Sequence, residues 1–421
     1  MSTLQDSVAR EAAAAHEAVP RLDDARVTAA LSIAADRVTA RGDSILTAND
    51  ADIAGAADDL DAGALDRLRL DGPRLAAVGA QLRELAALPP LEREIGSWRL
   101  PNGLEVSERR IPIGVVGANF EARPNVAVDI AGQLLKSLNG AVLRTGGAAL
   151  GTVTVLVDEV LRPALAEAGL PPEAVGLVRS PDREGARVLV SLPRSVPLVI
   201  LRGSGTTTAA LARHAAQQGV RTLAHAEGGG VLYVAASADP HKVEAIVEAS
   251  LDRLGVCNRL NLLLVDRAAA AAVLGRVLPL LARLGIEPRG TERVRAHVDV
   301  AALDVRLGHE WANDPDRIAT VSVDVVEGPE EAARIANGET SALAATIVCE
   351  DRAVAELFLE RYRGTAAFWH ASTRFTDGFA LTGAPETGIN VDWVPGPRGP
   401  VTYRDLWLRQ YRVVGDGTQS R

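Results

Sequence analysis

The chain has 421 residues, of which 47% are hydrophobic and 24% are charged, and its formal net charge is −9. This length predicts two or three domains, and the excess of negative charge argues against binding to nucleic acid or to an anionic membrane surface. Cys257 and Cys349 lie far apart, and neither they nor the seven histidines have the spacing of metal ligands. We therefore predict neither a disulfide framework nor a metal site.

The first 90 residues are rich in alanine, with apolar residues at i, i+3 and i+4, and predict helices. No signal-peptide pattern and no apolar run of about 18 residues is present, so the expected location is the cytoplasm, without a membrane partner. The stretch SWRLPNGLEVSERRIP then alternates apolar and polar residues on both sides of Asn102-Gly103, which predicts a β-hairpin. Its charged arms indicate an edge that is exposed or paired with another chain.

Strands and helices alternate from residue 111 to about 235. The predicted strands are IPIGVVGANF, GAVLRTG, AVGLVRS, VPLVILRGSG and RTLAHAEGGGVLYVA. A second α/β block runs to about residue 370, with predicted strands NLLLVD, IATVSVDVV, AATIVCE and GTAAFWHA. This alternation is typical of doubly wound parallel sheets. The tail VTYRDLWLRQYRVVGDG predicts a strand that pairs with the hairpin.

Cys257 follows a helical pattern and Gly255 and precedes NLLLVD, so we expect it in a loop at the edge of a sheet. Reacting groups often lie in such loops, and a thiol is a good nucleophile even when only a few per cent is ionised. The local sequence alone favours the alternative, a packed small residue. Cys349, within the apolar AATIVCED, is predicted to lie in the core.

Two strand-to-helix turns contain glycines that would let backbone N–H groups approach a phosphate. The first is LRTGGAAL, in which Arg144 could reach a ribose phosphate; the second is LRGSGTTTAA. The candidate cofactor ligands in the second turn are Gly203, Ser204, Gly205 and Thr206. A tight structural turn explains the second motif about as well.

Two further segments concentrate hydrogen-bond donors after a strand, which suits an anionic ligand. NFEARPNV contains Arg123 and Asn125, and HASTRFTDG contains Ser372, Thr373 and Arg374. A capped turn with a salt bridge is an equally supported interpretation of either segment alone. A serine hydrolase is poorly supported, because the chain lacks a G-x-S-x-G elbow.

Together these segments resemble the gamma-glutamyl phosphate reductase family of the aldehyde dehydrogenase superfamily. The likeness is carried by WRLPNGLEVSERRIPIGVVG, FEARPNV, VCNRLNLLLV, ASTRFTDG and GPRGPVTYRDLWLRQYRVVGDG, in family order over nearly the whole chain. It implies an α/β, aldehyde dehydrogenase-like fold with a doubly wound parallel sheet in the cofactor domain, a second α/β catalytic domain and a small β oligomerisation element. The expected domains are 1–235 with the hairpin 97–111, then 236–370 with Cys257, and 371–421, which returns to the cofactor domain and ends in an oligomerisation strand.

The resemblance also implies a mechanism. Cys257 falls at the family's catalytic cysteine, whose thiolate displaces phosphate from an acyl phosphate to form a thioester. NADPH then supplies hydride, with NADH not excluded, and the thiohemiacetal collapses to an aldehyde. The backbone N–H of Cys257 and the Asn125 amide would stabilise the oxyanion. Arg123 and residues 372–374 would bind substrate or phosphate, while the 203–206 turn and Arg144 would bind the cofactor. A homodimer or homotetramer would form through the hairpin and the tail.

The chain departs from the family at several polar positions. Ala224 stands where the family usually has a glutamate, for which Glu227 is a candidate substitute. Leu343, Ala344 and Ala345 replace His, Ser and Glu; the other departures are Phe120, Asn261 and His370. Reduction of an acyl phosphate needs no deacylating water, so the loss at Ala224 leaves the chemistry intact. The apolar replacements disfavour a zwitterionic glutamyl group, since a buried polar group without its partner costs roughly 1–3 kcal/mol.

Three functions therefore remain open. The first is reduction of gamma-glutamyl phosphate, supplied by an upstream ATP-dependent carboxylate kinase, in proline synthesis. The second is the same chemistry on another activated acid. The third is a catalytically weak paralog that serves as a structural subunit. The presence of Cys257 beside an intact ASTRFTDG argues against the third.

Overall fold

The structure is a computed structural model that describes residues 3–60, 62–203, 205–225, 228–393 and 396–419. The chain forms two compact units. Unit 1 runs to Ala224 and also takes in Ala384–Gly388 and the chain from Val401 onwards. Unit 2 consists of His225–Gly383 and Ile389–Pro400.

In chain order the helices are α1 (Leu4–Ala18), α2 (Asp24–Ala40), α3 (Gly42–Ala56), α4 (Ala62–Leu68), α5 (Gly72–Ala87), α6 (Pro124–Lys136), α7 (Leu150–Val155), α8 (Arg162–Glu167), α9 (Glu184–Leu189), α10 (Gly205–Gln217), α11 (Pro240–Ala249), α12 (Ala270–Arg283), α13 (Glu292–Arg295), α14 (Pro329–Gly338), α15 (Arg352–Arg361) and α16 (Gly378–Thr382). The strands are β1 (Glu94–Arg99), β2 (Glu105–Pro112), β3 (Val115–Phe120), β4 (Gly140–Thr145), β5 (Val175–Leu177), β6 (Leu198–Arg202), β7 (Arg221–His225), β8 (Gly230–Val234), β9 (Leu260–Asp266), β10 (Glu287–Gly290), β11 (Ala301–Ala302), β12 (Thr320–Val326), β13 (Ala344–Val348), β14 (Ala366–Trp369), β15 (Gly388–Asn390), β16 (Gly399–Val401) and β17 (Trp407–Val414).

The helical N-terminus is confirmed, and three of its helices, α1, α2 and α5, begin at polar caps. Thr3 and Asp6 form a capping box at α1, while Asp23 and Asp71 accept backbone N–H bonds at the starts of α2 and α5. Such caps satisfy N–H groups that have no partner inside the helix. The apolar faces of α2 and α5 then pack closely in the core of unit 1.

The hairpin and its pairing with the tail are also confirmed. β1, β2 and β17 form a three-stranded antiparallel sheet in which β2 is central. Gly103 has φ +91°, a conformation that glycine adopts readily and that the turn between β1 and β2 requires. The rings of Trp98 on β1 and Tyr411 on β17 meet edge to face at 6.0 Å.

Unit 1 contains a five-stranded sheet in the order β5-β4-β3-β6-β7. β3 pairs in parallel with both β4 and β6, and all residues of β3 and β4 are buried. The chain first adds β4 and β5 on one side of β3 and then β6 and β7 on the other. This is the doubly wound order that the alternating pattern predicts, with its topological switch point between β3 and β6.

Unit 2 contains a seven-stranded sheet in the order β11-β10-β12-β9-β8-β13-β14. Its central strands β8, β9, β12 and β13 pair in parallel, and β8, β9 and β13 are mostly apolar and buried, as expected for a sheet covered on both faces. β10 and β11 were not expected from the sequence.

One strand prediction is wrong. RTLAHAEGGGVLYVA does not form a single strand but two, β7 in the sheet of unit 1 and β8 in the sheet of unit 2. Glycines separate them, and Gly229 has φ +104°, which ends an extended strand. The structure therefore divides the chain at Ala224 rather than at residue 235, and residues 371–383 fall in unit 2.

Candidate active site

The predicted cofactor residues of unit 1 and the predicted oxyanion donor Asn125 lie along one edge of its sheet. Arg144 is near the end of β4, the glycine turn follows β6, and Asn125 is the second residue of α6, which follows β3. β4, β3 and β6 are neighbours, so their carboxyl ends meet at the switch point where doubly wound sheets bind ligands. Gly205 and Thr206 open α10, and Arg123 precedes α6 as an exposed residue. Ser204 lies outside the described residues.

Arg144 is largely buried rather than extended into solvent. It is 7% exposed and donates to the Asn119 side chain at 3.3 Å and to the Asp182 carbonyl at 3.0 Å. Burial, and secondarily the neighbouring Arg183, lowers the pKa of Arg144, while Asp182 acts in the opposite direction. Arg144 thus links the ends of β3 and β4 to the loop that carries Asp182 and Arg183.

Buried polar atoms at this edge provide a test of whether a cofactor fits. Within the described part of the chain, Arg144 Nε and the hydroxyl of the adjacent Thr145 are buried and have no hydrogen-bond partner. A Cβ at Gly203 would lie 3.2 Å from the Glu121 carboxylate. The glycine therefore lets the Glu121 side chain come close to the backbone of this turn. Unsatisfied polar groups at the end of β4, together with the glycine turn after β6 and the first turn of α10, fit a phosphorylated nucleotide.

A carboxyl group that the sequence did not single out lies beside the predicted Asn125. Asp129, one turn later on α6, accepts a hydrogen bond from Asn125 Nδ2 at 3.3 Å. Burial and the nearby Glu386 carboxylate raise the pKa of Asp129 to about 6, against the opposing effects of Arg202 and the Asn125 bond. The i, i+4 spacing of Asn125 and Asp129 was the available signal, since such residues share a helix face.

Cys257 lies in a turn three residues before β9, as predicted, and is partly exposed. The glycines at the start of β8 run directly beside it: Gly229 donates to the Cys257 carbonyl at 2.6 Å. A Cβ at Gly228 would lie 2.5 Å from the Cys257 Cβ. No side chain fits there, so the glycines are needed for this close approach.

The ASTRFTDG segment holds the Cys257 turn in place. Ser372 Oγ lies 2.8 Å from Ser250 Oγ, and Thr373 Oγ1 donates to the Asn258 carbonyl at 2.8 Å. Arg374 bonds the Asn258 side chain and pairs with Asp252 at 2.6 Å. Three of the four residues predicted to bind substrate therefore lie next to the turn of Cys257, and their side chains bond to the loop around it.

Apolar side chains pack on the other side of Cys257. Leu343, Ala344 and Ile389 form a buried cluster against which Cys257 and Phe368 pack. Two of these are positions where the family carries polar residues. Asn261, another departure, is buried and bonds the His309 carbonyl at 2.6 Å and the Trp311 N–H at 3.0 Å, so it anchors a loop.

Other predicted residues have plain structural roles. Cys349 is buried in the core of unit 2, as expected, and Ala224 is buried in β7. Glu227 lies outside the described residues.

Across the stretches that the structure describes, no group of three His, Cys, Asp or Glu side chains is placed to hold a metal ion. None of the helices in those stretches has the length and apolar character needed to cross a bilayer.

The family model of the aldehyde dehydrogenase family matches residues 93–303, half of the chain. The chain belongs to the aldehyde dehydrogenase family. It is 36% identical over 416 residues to the gamma-glutamyl phosphate reductase of Kineococcus radiotolerans, covering 98% of this chain and 95% of that protein. It is 38% identical over 416 residues to the enzyme of that name from Anaeromyxobacter dehalogenans, covering 97% and 95% respectively.

A solved structure agrees with these relatives. The crystal structure of gamma-glutamyl phosphate reductase from Thermotoga maritima matches with a TM-score of 0.93 and 28% identity, over 99% of this chain and all of that chain. Within the aldehyde dehydrogenases, the chain falls in the gamma-glutamyl phosphate reductase family. The resemblance of the sequence motifs to that family is thereby confirmed, as is the α/β fold that it implied.

Proposed function

We propose that the chain reduces gamma-glutamyl phosphate to glutamate 5-semialdehyde with NADPH, through a thioester on Cys257. The supporting observation is a match of 36–38% identity to gamma-glutamyl phosphate reductases over nearly the whole chain, with a cysteine held in a turn ahead of β9. An acyl phosphate of this kind is unstable in water, so its supply requires an ATP-dependent carboxylate kinase.

The proposed covalent step belongs to unit 2. The Cys257 thiolate attacks the acyl carbon, the C–O bond to phosphate breaks, and inorganic phosphate leaves with the bonding electrons. NADPH held by the turn after β6 and the start of α10 would supply the hydride that reduces the thioester. The C–S bond of the resulting thiohemiacetal then breaks, which releases the aldehyde and regenerates the thiolate. The Cys257 backbone N–H and the Asn125 amide are the proposed oxyanion donors, and one such donor is worth about 10²–10³ in rate.

The remaining roles follow from the local contacts. Ser372, Thr373 and Arg374 keep the nucleophile's turn fixed, and Arg374 and Arg123 are the proposed cations for the leaving phosphate. The turn after β6 and the start of α10 are proposed to hold the cofactor's phosphates. Arg144, whose Nε has no partner within the described residues, is proposed to favour the 2′-phosphate of NADPH.

The burial of Ala224 in β7 supports reduction rather than hydrolysis. A carboxylate is needed when water must be activated to release a carboxylic acid from the thioester. Transfer of hydride to the same thioester requires no such base. An alanine at this position therefore disfavours hydrolysis of the thioester and leaves every step of the reduction in place.

The apolar side chains that are exposed on both faces of the β1-β2-β17 sheet support a homodimer or a larger homo-oligomer. Large apolar side chains are unusually exposed there, namely Ile95, Trp98, Leu408, Tyr411, Val413 and Val414. Exposure of large apolar side chains to water at the edge of a sheet is unfavourable, and such a surface is normally covered. Light scattering at micromolar concentration is expected to show an assembly larger than one chain.

A coupled assay with glutamate kinase, ATP, glutamate and NADPH tests the function. We expect NADPH oxidation that depends on the kinase and on glutamate. Cys257→Ala should abolish turnover and leave NADPH binding, measured by fluorescence, nearly unchanged. Full turnover in that variant would refute the covalent mechanism.

A second candidate is the same chemistry on a less polar acyl phosphate. The observation that favours it is the apolar cluster of Leu343, Ala344 and Ile389 against Cys257. No NADPH oxidation with gamma-glutamyl phosphate, together with oxidation when another activated acid is supplied, would decide for this candidate.

A further inference from the structure

Arg259 is a charged side chain fully enclosed in unit 2, with 0% of its surface exposed. It follows Cys257 by two residues, in the same turn ahead of β9. Its Nε donates to the Leu260 carbonyl at 2.9 Å and its Nη2 to the Thr320 carbonyl at 2.6 Å, while Nη1 donates to the Ile318 carbonyl. These bonds tie the turn of Cys257 to the start of β12, and all three acceptors are neutral.

The residues that the structure describes provide no counter-ion for Arg259. Among the described carboxylates none pairs with it, and burial is the cause that lowers the pKa of Arg259 to about 10. A group with that pKa is still protonated at pH 7. The interior of unit 2 therefore holds a positive charge that carbonyl dipoles compensate only in part.

The apolar cluster beside Cys257 makes such a charge useful. Packing against Leu343, Ala344 and Ile389 withdraws water from the sulfur, which disfavours the thiolate. A cation nearby favours it, and reactive cysteines are usually found in electropositive surroundings. Field lines of a buried charge are screened less than those of a surface charge.

Among the described residues, the other charged groups on the segments packed around this turn are paired, bonded elsewhere or exposed. Asp252 pairs with Arg374 at 2.6 Å, and Asp314 accepts from both His309 and Arg317 at 3.1 Å. The remaining groups are Glu310, which accepts from Asn313; Asp377, which caps α16; Asp392, which faces Arg398; and the exposed Arg253.

We propose that the buried guanidinium of Arg259 stabilises the thiolate of Cys257 and is a positioning residue for the nucleophile. The proposal rests on the proposed function, in that it takes Cys257 as the nucleophile. Two residues of chain separate the two Cα atoms by at most about 7 Å, and with the lengths of both side chains added the distance from the guanidinium to the sulfur is on the order of 10 Å. At an effective dielectric constant of about 20, a charge at that distance lowers a thiol's pKa by about one unit.

The test is the pH dependence of alkylation of Cys257 by iodoacetamide, followed by mass spectrometry of the peptide that contains it. In the wild type we expect an apparent pKa below the ordinary value of about 8.5. Arg259→Met and Arg259→Gln should raise it by about one unit, so that alkylation at pH 7 slows about tenfold. Arg259→Lys keeps the charge and should restore most of the effect. Arg253→Met removes an exposed, solvent-screened charge nearby and should change nothing.

An apparent pKa of 8.5 or above in the wild type would overturn the proposal, whether or not the variants fold. An unchanged apparent pKa of Cys257 in Arg259→Met or Arg259→Gln, with a circular dichroism spectrum that shows a folded variant, would also overturn it. These outcomes are distinct from failure of the proposed function. Full turnover in Cys257→Ala would refute the covalent mechanism of the proposed function, whereas an unshifted thiol in an active enzyme would refute only the role of Arg259.

Discussion

The glycine at position 228 offers a direct test of how closely the Cys257 turn must be placed. Replacing it with alanine would put a Cβ 2.5 Å from the Cys257 Cβ and 2.7 Å from both its Cα and its carbonyl oxygen. Gly228 is not among the residues with positive φ, so alanine meets no backbone strain there. The effect of this substitution is therefore purely steric.

Both sides of the contact are held, so the clash has to move one of them. Ser341 Oγ donates to the Gly228 carbonyl at 2.9 Å, and Gly229 donates to the Cys257 carbonyl at 2.6 Å. Ordinary carbon contacts are about 3.5–4.0 Å, so the Cys257 turn has to shift by about 1 Å. A displacement of that size costs about 10² in rate, and overpacking costs about 1–3 kcal/mol of stability.

The assay compares Gly228→Ala with Gly275→Ala, using NADPH oxidation in the kinase-coupled reaction. Gly275 lies in α12, and a Cβ there would have no neighbour within 4 Å. Its replacement should leave turnover unchanged and stabilise the helix by about 0.5–1 kcal/mol. A Gly228→Ala enzyme with wild-type turnover would show that the close approach does not set the position of the nucleophile.

Three further changes test separate parts of the chain. Asp129→Asn should stabilise the chain by up to about 3 kcal/mol above pH 6, because the native pKa of Asp129, raised from 3.8 to about 6, makes ionisation costly. Between pH 3.8 and about 6 the native state binds more protons at Asp129 than the unfolded state does. The stabilisation by Asp129→Asn, measured by urea unfolding, should therefore fade as the pH falls to 4. Leu408→Glu, on the exposed face of β17, should reduce the mass measured by light scattering without unfolding the chain. Arg144→Gln should raise KM for NADPH more than KM for NADH.

Local chemistry made the hairpin, the sheet of unit 1 and the loop of Cys257 predictable. Asn102-Gly103 determines a turn from two residues, and the apolar β3 and β4 could only be buried strands. β10 was missed because its residues, EPRG, include a proline and a glycine that disfavour strands. Its position comes from parallel pairing with β12, which lies over thirty residues later.

The roles of Asp129 and Arg259 could not be predicted for a related reason. The sequence shows that each residue is charged, whereas its importance comes from burial by distant segments. Arg259 is enclosed by carbonyls about sixty residues later in the chain, and Asp129 is affected by Glu386 from the far end of it. The sequence shows which residues are charged, but only the fold shows whether a charge is buried and which groups surround it.

The departures from the family differ in their consequences. Ala224 removes a carboxylate that reduction does not need, so the hydride step is unaffected. Leu343 and Ala344 lie against Cys257 itself, where an acyl group attached to the sulfur has to be accommodated. The same apolar contact that weakens recognition of a charged substrate also disfavours the thiolate, and it makes the enzyme more dependent on the buried cation. Restoring polar side chains at these two positions should therefore improve KM for gamma-glutamyl phosphate and, at the same time, reduce the effect of replacing Arg259.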